Sequence, residues 1–183
     1  DFGATEVCIQ AGLPPKMEGD LYIQLTRKIK AQFPNLLMHA FSPEEVLYGS
    51  VRSRCSILEY LQELKAAGLD SLPGTSAELL IPGLRDQVAP GRISVEQWTE
   101  VIRGAHSLGL PTTSTMMYGF VEEPEDWLQH MLLLRNLQEE TGGFTEFVPL
   151  PFVHMEAPMW RKGKARSGPT FRESVLMHSI ARL

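Results

Sequence analysis

Residues 112–119 read TTSTMMYG, and the reading of this stretch decides the fold. It lies between a run that ends like a helix and one that begins like another, which makes it a strand of a parallel sheet. Such strands are ordinarily covered on both faces and rich in Val, Ile and Leu. This one begins with four hydroxyl residues in a row, Thr112 to Thr115. One face of the strand must therefore meet polar groups. Alternation sets Thr113, Thr115 and Met117 on one side and Thr112, Ser114, Met116 and Tyr118 on the other. One of these two sets lines a substrate cavity.

Working outward, similar β-like runs occur at TEVCIQ (5–10), LLMHAF (36–41), LDSLPG (69–74) and TEFVPLPF (145–152). Their recurrence every ~30–40 residues is the size of one βα unit. Between them, Ser42 with Glu45, Ser56 with Glu59, Ser94 with Gln97 and Thr170 with Glu173 have the spacing of reciprocal helix caps. Pro43 and Pro124 suit first helical turns, and Gly68, Gly109 and Gly142–Gly143 suit helix ends. Trp98, Val101, Ile102 and Ala105 form one apolar stripe, Trp127, Met131 and Leu134 another.

Strand–helix repetition with right-handed crossovers allows an open doubly wound sheet or a barrel. Polar residues of one parity select the barrel, whose alternate strand residues point into the lumen. Glu6, Cys8 and Gln10 share a parity, His39 stands near the end of its strand, and Glu146 lies within the last. The expectation is a partial TIM-type (β/α) barrel with a polar lumen. The competing reading, that these groups satisfy one another in a structural network, stays open.

The 183 residues fall short of the ~250 of a complete eight-stranded barrel. Gly3 is placed like the residue that ends a helix lying before residue 1, and FRESVLMHSIARL starts a helix without a terminator. A first strand upstream is therefore expected to be missing. A net charge of −5 argues against nucleic acid as partner, and Arg161, Lys162, Lys164 and Arg166 read as a solvated loop. Cys8 and Cys55 match no metal-ligand spacing, so no metal site is assigned, and a reducing cytoplasm is the expected compartment. Neither a membrane span nor a signal peptide is legible. Motifs of phosphate loops, zinc hydrolases and α/β-hydrolases do not occur.

Five ordered segments, GATEVCIQAGLPP, HAFSPEEV, LKAAGLDSLPGTSAELL, GLPTTSTMMYG and GGFTEFVPLPFVHMEAP, resemble the radical SAM FO synthase family over nearly the whole chain. Within it, the resemblance is to the branch that cleaves L-tyrosine. It implies a barrel of the radical SAM kind with a [4Fe-4S] cluster on a CxxxCxxC loop after the first strand. That loop is absent, so the cluster ligands are expected outside this chain and the fragment alone is expected to be inactive. The implied chemistry is cleavage of S-adenosyl-L-methionine to a 5′-deoxyadenosyl radical and hydrogen abstraction from L-tyrosine. The 4-hydroxybenzyl group is then transferred to 5-amino-6-(D-ribitylamino)uracil. A second FO synthase subunit is a further implied partner.

Carried onto this sequence, the resemblance implies Gln10, Gly12, Thr75 and Glu78 as cofactor-binding residues. His39 and Glu146, titratable groups near strand ends, are the first candidates for catalysis, and Thr113, Thr115, Met117, Tyr118 and His154 are expected against the substrates. Ala11 and Phe120 depart from the family pattern, where Gly and His are usual. His106, His130 and His178 are expected to pack or face solvent. A menaquinone-route relative acting on a futalosine-derived substrate and a cluster-less, non-catalytic fragment are the competing readings.

Overall fold

The computed structural model describes residues 3–183. In chain order, β1 (Glu6–Ile9) is followed by α1 (Leu21–Gln32), β2 (Leu37–Ala40), α2 (Pro43–Ser53), α3 (Ile57–Ala66) and α4 (Leu84–Val88). Then come α5 (Val95–Ser107), β3 (Thr112–Tyr118), α6 (Pro124–Thr141), β4 (Phe144–Pro151), α7 (Pro158–Arg161) and α8 (Phe171–Ile180). β1 pairs in parallel with β2, and β3 with β4. Single parallel bridges, His39 to Ser71 and Leu72 to Thr112, connect the two pairs. Among the described residues spatial order thus follows chain order, giving an α/β fold of short parallel strands.

The four expected capping boxes all form, at Ser42, Ser56, Ser94 and Thr170. Each satisfies orphan backbone donors within four residues, so little tertiary help is needed. Gly142 ends α6 in the left-handed conformation. The strand expected at 69–74 shrinks to two bridged residues. Pro73 has no N–H to offer a ladder, and the Gly74 N–H donates to Thr113 Oγ1 at 3.0 Å, which turns the chain away.

Helices pack on one face of the strands. Met38, Ala40 and Leu72, with Val7 and Ile9 beside them, enter a core shared with Tyr22, Val46, Tyr60, Leu61, Leu64 and Val101. Trp98, fully buried, joins Ile102, Leu80 and Leu134 in a second cluster. Met116, Tyr118, Phe120, Trp127 and Met177 make a third. The opposite parity, Glu6, Cys8, His39, Ser71, Thr113 and Glu146, is exposed or half-buried. A doubly wound sheet would cover both faces with helices. Among the described residues the other face stays open, with these polar groups beside exposed Leu37 and Leu150.

His130 of α6 is fully buried and ties that helix to the sheet. Its Nδ1 accepts from the Leu80 N–H at 3.0 Å, so the proton sits on Nε2 and is donated to the Thr115 carbonyl at 3.1 Å. Burial pushes its pKa down to about 3; the Thr115 bond opposes that shift and the nearby Arg85 charge reinforces it. Because the native value lies below the unfolded one of about 6.5, the unfolded chain takes up the proton first on acidification. The stability from neutral His130 is complete above pH 6.5 and is lost as pH falls toward 3. Urea unfolding at pH 7 and pH 5 should differ by about 2 kcal/mol from this group, at ~1.4 kcal/mol per pH unit. His130→Gln should remove that part of the slope; an unchanged slope would show that His130 is not its source.

Candidate active site on the open face of the sheet

Three strand segments bring titratable groups into one row. Cys8 lies opposite His39, and His39 bridges to Ser71. The His39 Nδ1 and Ser71 Oγ are 2.7 Å apart and hydrogen-bonded. On the neighbouring pair, Thr113 lies opposite Glu146. The fields of Glu6 and Glu146 both act on His39 and favour its charged form, yet partial burial outweighs them and lowers its pKa below the usual 6.5. His39 is therefore neutral near pH 7 and able to accept a proton. Glu146 is exposed, and its carboxylate has no hydrogen-bond partner among the described residues.

The hydroxyls of TTSTMMYG are mostly engaged inside the protein. Thr112 Oγ1 meets His106 Nε2 at 2.9 Å, and Ser114 donates to the Glu146 carbonyl at 3.0 Å. Thr113 and Thr115 grip Gly74 from both sides: Thr113 Oγ1 accepts the Gly74 N–H, and Thr115 donates to the Gly74 carbonyl at 2.9 Å. Only Thr113, half-buried and acting there as acceptor, keeps a hydroxyl proton to offer to the open face. The internal network claims the rest.

At the C-terminal ends of the strands the loops are held by buried charges. After β1, the Ala11 and Gly12 N–H groups donate to Glu45 Oε1 at 2.5 and 2.7 Å, while Ser42 N–H and Oγ–H donate to Oε2 at 2.7 and 2.8 Å. Gly12, not Ala11, has the positive φ of this turn, +75°. A Cβ at position 11 therefore costs the turn nothing. After residue 74, Ser76 and Glu78 have φ of +57° and +41°, unusual for residues with a Cβ. Arg85, 2 % exposed, holds this loop through the carbonyls of Ser76, Ala77 and Ile93 and an ion pair with Glu78 at 3.2 Å.

His39, Glu146 and Thr113 thus share the open face, and Gln10, Gly12, Thr75 and Glu78 lie on loops at one end of the strands. Glu78 lies outside any helix; α4 begins only at Leu84. Tyr118, expected against the substrates, lies on the helix side of β3. It has the parity of Met116, is 1 % exposed, packs edge-on against Trp127 and donates to Ser174 Oγ at 3.1 Å on the helix side. Thr115, 7 % exposed, turns the right way but spends its hydroxyl on Gly74. Met117, half-buried, packs against the third apolar cluster. His154 follows β4, half-buried, with its ring 4.8 Å from that of Trp160. Phe120 is a packing residue stacked on Phe152, at 5.3 Å. His106 and His130 pack, and His178 is on an exposed helix. The basic loop is paired in part, Arg161 with Glu156 and Arg166 with Glu173.

Glu45 and Arg85 were not legible as site residues. Glu45 reads locally as a helix cap, and its grip on Ala11 and Gly12 spans more than 30 positions. Arg85 lies in a five-residue helix whose pattern carries no signal.

No family model matches the chain. Over all 183 residues it is 49% identical to the 5-amino-6-(D-ribitylamino)uracil–L-tyrosine 4-hydroxyphenyl transferase of Methanopyrus kandleri, covering 50% of that protein. The transferase of the same name from Methanothermobacter thermautotrophicus is 48% identical over 181 residues, with 49% of it covered. The FO synthase of Mycobacterium leprae is 46% identical over 181 residues, with 21% of it covered. Over its whole length the chain is similar to members of the FO synthase family. It spans about half the length of the transferases it matches and about a fifth of the FO synthases.

Among the described residues the chain supplies no iron–sulfur ligand set of its own. Among the described residues no three His, Cys, Asp or Glu are grouped to hold a metal, and Cys8 and Cys55 are free and separate. A [4Fe-4S] cluster is held by a grouped set of cysteine thiolates, which two separate cysteines do not supply, so these residues do not fit one. The loops fit a polar organic cofactor better: the Thr75 hydroxyl is buried with no hydrogen-bond partner. An orphan of this kind costs free energy unless something satisfies it. No described helix is long and apolar enough to cross a membrane.

Proposed function

We propose that the open face is one wall of a partial (β/α) barrel. In the whole protein this barrel acts as a radical SAM transferase of deazaflavin FO synthesis, cleaving L-tyrosine and joining its 4-hydroxybenzyl group to 5-amino-6-(D-ribitylamino)uracil. The supporting observation is the division of the sheet: parallel strands in chain order, helices on one face, and Glu6, His39, Thr113 and Glu146 on the other. That is the arrangement of a barrel wall seen from its lumen. The names of the relatives supply the reaction.

In this reading Gln10, Gly12, Thr75 and Glu78 hold S-adenosyl-L-methionine, which when bound supplies the radical chemistry. Glu45 and Arg85 fix the two loops from beneath. His39, neutral, takes up a proton, and Glu146 orients and deprotonates polar groups of the substrates. Thr113 donates a hydrogen bond, while Met117 and His154 border the same space toward the strand ends. Thr115 and Tyr118 support this wall from within. The iron–sulfur cluster belongs to the part of the protein outside this chain. A second subunit fits the relatives' sizes, since the FO synthases are far longer than the separate transferases. We place the protein in the cytoplasm, consistent with its free cysteines.

The full-length protein, reconstituted without oxygen and given S-adenosyl-L-methionine, L-tyrosine and the ribitylaminouracil, should form methionine, 5′-deoxyadenosine and a hydroxybenzyl adduct. Cofactor cleavage without an adduct would refute the substrates, and no cleavage at all would refute the radical reading.

A further inference from the structure

The basic stretch 161–166 belongs to a loop that stands apart from the body. Phe152 leaves β4 with its N–H on the Tyr118 carbonyl at 2.8 Å, and the chain returns at Arg166, whose N–H donates to the Phe120 carbonyl at 2.9 Å. The two feet are close together: a Cβ on Gly168 would lie 2.6 Å from the Phe152 carbonyl oxygen. Among the described residues the backbone bonds of 153–164 all run inside the segment, the N–H groups of Ala157, Arg161, Lys162, Gly163 and Lys164 donating to His154, Ala157, Pro158, Trp160 and Met159. The Arg161–Glu156 pair and the His154–Trp160 ring contact are internal as well. Its apolar footing is Met159 and Ala165, at the edge of the third cluster. A compact loop with adjoining ends and internal bonds can move as a unit. Gly163, at φ +65° with open space around it, leaves room for the turn.

The outer side chains of this loop are large and apolar. Val153 is 61% exposed, Met155 68% and Trp160 41%. Single apolar residues on a surface need no explanation, but three on one loop at the C-terminal ends of barrel strands do. Gln10, Gly12, Thr75 and Glu78 lie at that same end.

The foot at Arg166 is a clasp. Glu122 is buried, and its carboxylate accepts the N–H groups of Gly119, of Phe120 at 3.0 Å and of Val121 at 3.1 Å, together with Trp127 Nε1–H at 3.0 Å. Arg166 stands 3.8 Å from that carboxylate and forks onto Glu173, in the first turn of α8, at 2.7 and 3.0 Å. One guanidinium thereby joins the turn after β3, the return of the loop and the start of α8. The single ammonium of a lysine has no such fork.

We propose that residues 153–164 are a flap that closes over the open face when its ligands are bound, covering Val153, Met155 and Trp160, and that Arg166 is the positioning residue that sets its foot. The inference rests on the functional reading above and adds to it the element that keeps water from the radical steps.

The test is trypsin cleavage of the full-length protein after Arg161, Lys162 and Lys164, sites that an open flap presents. With S-adenosyl-L-methionine, L-tyrosine and the ribitylaminouracil bound in the absence of reductant, binding being verified by calorimetry, cleavage there should slow about tenfold or more, since it follows the open population. Met155→Asp alters an exposed side chain, so its melting temperature should stay within about 2 °C. It should nonetheless reduce the protection to less than about threefold, because closure would bury a charge. When turning over, it should form more 5′-deoxyadenosine per hydroxybenzyl adduct. Arg166→Lys should speed cleavage of the unliganded protein and show the same loss of coupling; a lower melting temperature with coupling intact would make Arg166 structural and overturn its positioning role. Ligands that bind without slowing cleavage, or full protection in Met155→Asp, overturn the flap and leave the functional reading standing. Failure of all three ligands to bind overturns both together. If Arg166→Lys does not fold, the unaltered protein and Met155→Asp decide.

Discussion

Replacing Gly74 with alanine is expected to be the most damaging single change to the fold. A Cβ built there lies 2.6 Å from the Thr113 carbonyl carbon and 2.7 Å from Ser114 Cα, with the Thr113 oxygen closer still. These are backbone atoms of β3, so no side-chain rotation relieves the clash. Moving the loop instead would break the paired bonds from Thr113 and Thr115 to Gly74 and pull Thr75 off Trp98. Overpacking costs roughly 1–3 kcal/mol, and each buried polar group left unpaired about as much again. A loss of about 4 kcal/mol should lower the melting temperature by roughly 10 °C or more in a chain of this size. A melting temperature within about 2 °C of the unaltered protein would mean that the close approach of the two segments is not tight in solution.

Glu146→Gln should separate chemistry from stability. The carboxylate is exposed, unpaired among the described residues and aligned with Thr113, so its amide replacement fits without repacking. Stability should change by no more than about 0.5 kcal/mol. Adduct formation by the reconstituted full-length protein should fall about 100-fold or more, the usual size of a general acid–base contribution. The variant should also raise the acidity of His39, because one of the two carboxylates that favour its charged form is gone. The His39 ring titration followed by NMR is therefore expected to move to lower pH. Equal losses of stability and turnover would make Glu146 a structural residue, and unchanged turnover would remove it from the chemistry.

Those two positions show why the fold was more legible than the site. Strand phase at TEVCIQ, LLMHAF and TTSTMMYG follows from alternation, and the observed strands fall within those runs. The four capping boxes likewise depend only on residues three apart. The segment at 69–74 was overread because its apolar pattern hides the effect of Pro73 and of Gly74 pairing with a side chain. In the site, alternation left open which of the two faces of β3 was covered, and the structure sets Thr113 on the face of His39 and Glu146. Tyr118 lies on the helix side for that reason: its ring is buried under α6, where its neighbour Trp127 lies.

Taken alone, the order of amino acids determined the parallel βα repeat, the starts of the capped helices and the pairing of polar with apolar parity, because each of these is set by contacts a few residues apart. The tertiary structure decided which parity faces the helices, which hydroxyls of TTSTMMYG are consumed internally, and that Glu45 and Arg85 shape the loops. Those bonds join positions 34 and 33 apart for Glu45, and 41 apart for Thr115 with Gly74. Even the shorter reach of Arg85 to Ser76 depends on a chain reversal that no local pattern announces. Partners brought together by packing leave no period in the sequence, since the free energy that selects them comes from burial and bond geometry after the strands are assembled.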